Sequence, residues 1–278
     1  MILVTGASGN LGSTTLAALR ARGIAATGGS RTPGGGMRHL DFDDHAGVDL
    51  AGVSTLVLVS AGYAEDDQVV GRHTAVLDAA VRAGVDHVVY TSLTGAGDHL
   101  GFALAHRATE RLVRASGLPW TILRNGLYAE LFGGLLMWAD NGVESPFGDG
   151  ALAAVSRQDL AEAAAIVAAD PVRHSGRVHD LVGTPITAGQ VAHRLGVPHR
   201  TIGLGEYRRR LLDETPGLLP FQPPMLASIA TGIRHGFLDD TTPDLAELLG
   251  RPAHDPLATA VAAASATKPR PSRKRAAR

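Results

Sequence analysis

Three glycines, Gly6, Gly9 and Gly12, follow directly on the apolar run 2–5 that opens the chain. That placement restricts what the first thirty residues can become. A buried strand that hands over to a helix through Gly6-Ala7-Ser8-Gly9-Asn10-Leu11-Gly12 needs a tight turn at Gly6 and close backbone approach at Gly9. At Gly12 it needs close helix–strand packing. The unpaired N–H groups at the start of such a helix form an anion cradle made of backbone, suited to a pyrophosphate. In a chain with 34 glycines a triplet says little by itself; its position after an N-terminal strand is what makes it specific.

The first half repeats one pattern: an apolar run, a polar turn, an amphipathic stretch, then glycine. Helix-like stretches close at Gly23, Gly84 and Gly117, where glycine supplies the left-handed conformation that stops a helix. Runs 2–5, 24–27, 55–59, 87–91 and 120–123 are short and rich in β-branched residues, as buried parallel strands are. Val69, Val70, His73, Val76, Leu77, Ala80 and Val81 keep the spacing of a helix packed on a sheet. The alternation predicts an α/β fold, a doubly wound parallel Rossmann sheet with a smaller, mainly helical C-terminal lobe. Residues 1–130 are assigned to the nucleotide domain, rejoined by 152–183. Residues 131–151 and 184–266 are assigned to the lobe, and 267–278 to a disordered basic tail. Helices are expected at 157–169, 187–195, 224–235, 242–249 and 255–264, with a strand at 177–182. One unit is abnormal: Ser30 to Gly36, with Pro33 and three glycines, is too short for the crossover helix before the strand expected at 37–40. An open loop at the adenosine end of the cleft is expected instead.

Cofactor choice is read at the end of the second strand. An NAD enzyme places an acid there to hold the ribose hydroxyls, whereas this chain has Gly28-Gly29-Ser30-Arg31. A carboxylate would repel a 2′-phosphate; Arg31 and Ser30 can bond to one, and Arg38 stands nearby to share that work. NADP(H) is the expected cofactor.

Composition excludes several alternatives. The 278 residues contain no cysteine, so the chain has no disulfide, thiolate nucleophile or cysteine-held metal cluster, and its twelve histidines show no metal-ligand spacing. No metal is expected. The net charge of −1 hides an asymmetry: residues 268–278 carry six Lys or Arg and no acid. That leaves 20 basic against 27 acidic side chains in residues 1–267, a balance of −7. An acidic body argues against a nucleic-acid surface on the fold. No apolar stretch approaches the roughly 18 residues of a membrane span. Met1 leads straight into a strand, so a cytoplasmic, membrane-free protein is expected, as a monomer or homodimer.

The chemistry is narrowed by a missing pair. Common short-chain dehydrogenases use a Tyr with a Lys four residues later; here the only lysines are Lys268 and Lys274, and Tyr63, Tyr90, Tyr128 and Tyr207 all lack the partner. The Tyr–Lys acid mechanism and any Schiff-base lysine within the fold are excluded, and with the pair goes the acid–base step of a sugar-nucleotide epimerase. Hydride transfer that needs little help with protons remains. The strand ends offer Ser60-Ala61-Gly62, Thr91-Ser92-Leu93 and Arg124-Asn125-Gly126, all expected to face the glycine cleft. On the next helix His106 and Glu110 stand one turn apart. Either they orient a substrate and donate a proton, or they form a local helix contact. Tyr128 is a second donor candidate, or else a ring packed between domain and lobe.

Together these segments resemble a known family. Residues 5–12, Tyr90-Thr91-Ser92-Leu93, Leu100-Gly101 with His106 and Glu110, and Leu123-Arg124-Asn125-Gly126 with Tyr128 occur in order. Gly148-Asp149-Gly150 before Ser156-Arg157 and Gly236-Phe237-Leu238-Asp239-Asp240 follow. The chain resembles the NmrA-like atypical short-chain dehydrogenases, most closely their bacterial type 2 NAD(P)H:quinone oxidoreductase branch. The resemblance implies NADPH-dependent quinone reduction without flavin, in a cleft between the Rossmann domain and the lobe. It implies that Gly6, Gly9, Asn10, Leu11, Arg31, Ser60 and Ser92 line the cofactor, with Asn125 and Tyr128 toward the substrate. It also leaves open a second function, non-catalytic sensing of NADP(H). The short 32–36 loop departs from the pattern, since such relatives carry a helix there.

Overall fold

The computed structural model describes residues 1–32, 34–61 and 64–269. Pro33, Gly62, Tyr63 and nearly all of the basic tail lie outside the described residues. Along the chain, β1 (Ile2–Val4), α1 (Asn10–Ala21), β2 (Ala26–Ser30), β3 (Arg38–His39), β4 (Thr55–Val59), α2 (Asp66–Ala83), β5 (His87–Leu93), α3 (Ala103–Ala115) and β6 (Trp120–Asn125) come first. Then come α4 (Ala129–Gly134), β7 (Met137–Ala139), β8 (Gly142–Ser145), β9 (Ala151–Ala154), α5 (Arg157–Ala169) and β10 (Arg177–Leu181). The chain closes with β11 (Thr184–Thr187), α6 (Ala188–Leu195), β12 (His199–Thr201), α7 (Leu204–Asp213), α8 (Gln222–Arg234), α9 (Asp244–Leu249) and α10 (Pro256–Ala266).

Seven strands form one sheet in the order β10-β6-β5-β4-β1-β2-β3, every pair parallel. The chain moves outward from β1 through β2 to β3, then returns to β4 on the other side of β1. That reversal opens a crevice beyond the carboxyl ends of β1 and β4, where doubly wound sheets bind ligands. Alternation along β1 sets the layers: Ile2 and Val4 pack with Leu11, Leu16 and Leu19 of α1 and Leu160 of α5, while Leu3 joins Val76 and Leu77 of α2 on the opposite face. Both faces are covered, which explains why these strands read as continuous apolar runs. Between β2 and β3 the described backbone contains no helix, as the Pro- and Gly-rich 32–36 stretch predicts.

A separate core gathers Phe132 and Phe147, stacked 5.1 Å apart, with Ile186, Val191, Tyr207, Ile229 and Ile233. Helices α4, α6, α7, α8 and α10 contribute to it. The lobe also holds five short strands that the sequence pattern did not predict: β12-β8-β7 form one sheet, and β9 pairs antiparallel with β11. Helix α9 departs from the assignment of 184–266 to the lobe. Leu245 buries against α5, and Asp244 Oδ2 accepts the Asp180 N–H at 2.8 Å, so this stretch packs back on the sheet. The following segment does the same. Fully buried Asp159 accepts hydrogen bonds from Ser156 Oγ (2.8 Å), Arg251 Nη2 (2.9 Å) and the His254 backbone (2.9 Å), tying residues 251–254 to the first turn of α5. Among the described residues no helix is long and apolar enough to cross a membrane.

Candidate functional site

The glycine loop is held from both sides. Thr5 N–H donates to Val57 O, and the Val59 N–H donates to Thr5 Oγ1 at 2.9 Å, fixing the loop against the end of β4. Gly6 takes a left-handed φ of +59°, and Gly9 N–H closes the turn on Gly6 O. At Gly12 any side chain is shut out, since a Cβ would stand 2.3 Å from Gly6 O and 2.8 Å from Thr5 O. Gly9 is the N-cap of α1 and supplies no side-chain cap. The N–H groups of the first turn therefore have no intrahelical acceptor and open onto the crevice.

The crevice is a cleft of about 420 Å³, lined by Gly6, residues 8–12, Arg31, Ser60 and Tyr128 among others. Nine of the twelve expected site residues thus come together. At its β2 end Ser30 Oγ bonds Ser8 Oγ at 3.0 Å and exposed Arg31 stands beside them. Arg38 does not share this work, because its guanidinium donates to the carbonyls of Asp49 and Ala51. An acid does reach this end, from a segment that carries no recognisable motif. Asp43, with Asp41 and Phe42, lines the cleft after β3 and holds Arg72 of α2 through two bonds of 2.6 and 2.8 Å. That hydrogen-bonded guanidinium keeps the Asp43 carboxyl below the usual carboxylate range despite partial desolvation.

The remaining three expected residues do not line this cleft. Ser92 is buried, and its hydroxyl donates to Glu110 Oε1 at 2.8 Å. Glu110 is a hub: it also accepts from Arg124 Nε and Nη2 (2.9 and 2.8 Å), Arg107 Nη1 (2.9 Å) and Arg114 Nη1 (3.3 Å). Burial pushes its carboxyl upward, but the bonds from Arg124 and Ser92 and the charges of Arg124 and Arg107 outweigh this and hold it at about 2. The expected His106–Glu110 contact is not made. His106 Nδ1 lies 3.1 Å from the Tyr90 hydroxyl instead, and Arg107 occupies Glu110. Burial, and then the Arg107 charge, lower the His106 pKa to about 4, so its imidazole is neutral near pH 7. Asn125 is the last residue of β6, and its buried Oδ1 has no hydrogen-bond partner among the described residues. An orphaned buried acceptor is costly unless a ligand or water meets it.

The end of β4 is positioned by a histidine that packing alone would have accounted for. Ala61 N–H donates to His73 Nε2 at 3.0 Å, and His73 Nδ1 lies 2.8 Å from Thr109 Oγ1. The Thr109 hydroxyl gives its one proton to Ala105 O. Nδ1 must therefore carry the proton and Nε2 the lone pair, a neutral tautomer inferred from its neighbours. Besides the Asp41–Asp43 segment and Arg72, the cleft is lined by Arg157 at the start of α5, which was assigned no role from sequence and whose guanidinium lies 4.8 Å from the Tyr128 ring centre.

A backbone anion cradle at a Rossmann switch point, with cations along the rest of the cleft, defines a nucleotide-binding protein. Residues 6–171 match the model of the NAD(P)H-binding family. Quinone oxidoreductase 2 of Escherichia coli is 32% identical over 91% of this chain and 94% of its own. An NmrA-like family domain-containing oxidoreductase of Aspergillus flavus is 33% identical over 57% of this chain and 58% of its own. The crystal structure of Citrobacter sp. triphenylmethane reductase complexed with NADP(H) superposes with a TM-score of 0.83. That enzyme is 28% identical to this chain, and the match covers 95% of this chain and 99% of that one. The chain belongs to the NAD(P)H-binding, NmrA-like family of oxidoreductases.

Proposed function

We propose that this protein takes NADPH in preference to NADH and reduces a quinone-like small molecule without flavin. The observation that carries the cofactor choice is the pairing at the β2 end. Arg31 lies along the cleft, and the acid that does enter, Asp43, is already neutralised by Arg72. Gly12 lets the start of α1 pack directly on the Gly6 turn, and the uncapped first-turn N–H groups that this brings to the crevice suit a diphosphate. When bound, the reduced nicotinamide would supply a hydride, carrying both electrons and one hydrogen, and a single proton drawn from water would complete the hydroquinone. The protein's part is to orient the two and to stabilise charge growing on the acceptor oxygen. Tyr128 on the cleft wall is the candidate donor, with Asn125 Oδ1 as an acceptor for a substrate or carboxamide N–H; His106, expected from sequence to share the donor role, lies behind β5 against the Tyr90 hydroxyl and keeps none. Ser92 is assigned a supporting place, holding the end of β5 through Glu110. In this reading residues 1–130 and 152–183 hold the nucleotide, residues 131–151 and 184–266 (apart from 244–254) close over the substrate, and the protein is cytoplasmic.

Steady-state oxidation of NADPH and NADH against a panel of soluble quinones tests the proposal. Turnover above the uncatalysed background is expected, faster with NADPH; cofactor binding without turnover on any quinone would point to the sensing role instead. Arg31→Ala is expected to raise the KM for NADPH about 10- to 100-fold, the worth of charge-assisted hydrogen bonds to a phosphate, and to leave NADH nearly unchanged. Equal losses for both cofactors would remove Arg31 from the 2′-phosphate.

A further inference from the structure

The cleft carries three guanidinium groups, and their partners differ. Arg72 is bound bidentately by Asp43, and Arg31 stands at the end of β2. Arg157 has its backbone fixed on both sides: its N–H donates to the Glu130 carboxylate at 3.2 Å, and the preceding Ser156 caps α5 by accepting the Asp159 N–H. Its half-buried guanidinium, by contrast, makes no ion pair or hydrogen bond among the described residues and rests on the face of Tyr128. Its five donors are therefore available to an acceptor that enters the groove, and their fork geometry matches a phosphate.

Topology decides which anion. Crossover helices of a parallel sheet run against the strands, so α1 and α5 both begin at the carboxyl edge, and the two helices pack side by side. The first turn of α5 therefore faces the same crevice as the glycine cradle at residues 9–12, with Arg157 and Asn10 on one lining. The cradle itself offers only neutral N–H groups and a helix dipole equivalent to about half a charge. A dinucleotide diphosphate brings two full negative charges there.

Building on the nucleotide site proposed above, we propose that Arg157 is the charged partner of the cofactor's diphosphate bridge, swinging from the Tyr128 ring to close the cradle from the α5 side. Arg31 then reads the 2′-phosphate, and Arg157 reads what NADPH and NADH share.

The test is calorimetric binding of NADPH, NADH and ADP-ribose to the full-length protein and to Arg157→Gln. ADP-ribose keeps the diphosphate but lacks both nicotinamide and 2′-phosphate. Equal weakening of all three ligands is expected, about 10- to 100-fold, with a shallower dependence of affinity on salt. Unchanged binding of all three, or a loss confined to the ligands that carry nicotinamide, would overturn the role at the diphosphate. If Arg157→Gln fails to fold, Arg157→Lys is read instead: a smaller loss, still equal across the three ligands, supports the proposal, and wild-type affinity for all three overturns it. Failure of the wild-type protein to bind either dinucleotide would sink the nucleotide site itself, an outcome distinct from a silent Arg157 variant.

Discussion

Glu110→Ala is expected to lower the melting temperature by roughly 10 °C. Its carboxylate is 1% exposed and gathers Arg107, Arg114, Arg124 and the Ser92 hydroxyl. Removing one partner of a buried ion pair leaves the others uncompensated, at a cost of about 3–5 kcal/mol. In a chain of this size each kcal/mol moves the midpoint by about 2–4 °C. The loss extends to function, because Arg107 also donates to the carbonyls of Leu93 and Thr94 at 2.8 Å and so sets where β5 ends. Arg114→Ala is the control: that partner is 39% exposed at 3.3 Å and is worth less than about 1 kcal/mol. Thermal scans of the two variants decide the matter; a Glu110→Ala protein melting within 2 °C of wild type would show that no hub exists.

Stability is expected to fall steeply between pH 6.5 and pH 4. Burial lowers the pKa of His73 to about 3 and that of His106 to about 4, with neighbouring positive charges adding to both. An unfolded histidine titrates near 6.5. Below that value the unfolded chain takes up protons that the folded protein refuses, so acid favours unfolding. The stabilisation is complete above pH 6.5 and is lost progressively as pH drops toward 4 and then 3. Each such histidine costs about 1.4 kcal/mol per pH unit, so the pair removes up to roughly 4 kcal/mol by pH 5. His106 keeps some contact with solvent, and its share is the smaller. His87, His174, His179 and His199 shift in the same direction. Glu110, held at about 2, adds its own loss only between about pH 4.5 and 2. Urea midpoints at pH 7.5, 6 and 5 provide the measurement. A midpoint that stays level from pH 7.5 to 5 would contradict neutral, buried rings.

The cradle and the sheet were legible because each depends on neighbours in sequence. Gly6 to Gly12 is a local turn, and helix 157–169 is found at the bounds expected of its alanine-rich stretch. Ser92 was misplaced for a reason of length. β5 runs to Leu93 rather than to 91, so Ser92 lies within the strand, where side chains alternate, and Glu110 claims it. β6 likewise runs to Asn125 instead of 123, which turns an expected loop residue into a buried strand end. The lobe strands escaped notice because their pairings are distant. Gly142–Ser145 is four residues long, and it is completed by His199–Thr201 and by Arg200 and Arg210 closing on Glu144. Asp43 and Arg72 meet across 29 positions, a separation that no periodicity records.

The ties between Asp159 and residues 251–254 have a consequence for how the protein comes into being. During vectorial synthesis the Rossmann strands emerge first, and the turn carrying Arg157, already held by Ser156 and Glu130, gains its last ties only when Arg251 and His254 have left the ribosome. The α5 wall of the cleft is therefore completed later in synthesis than the glycine cradle it faces.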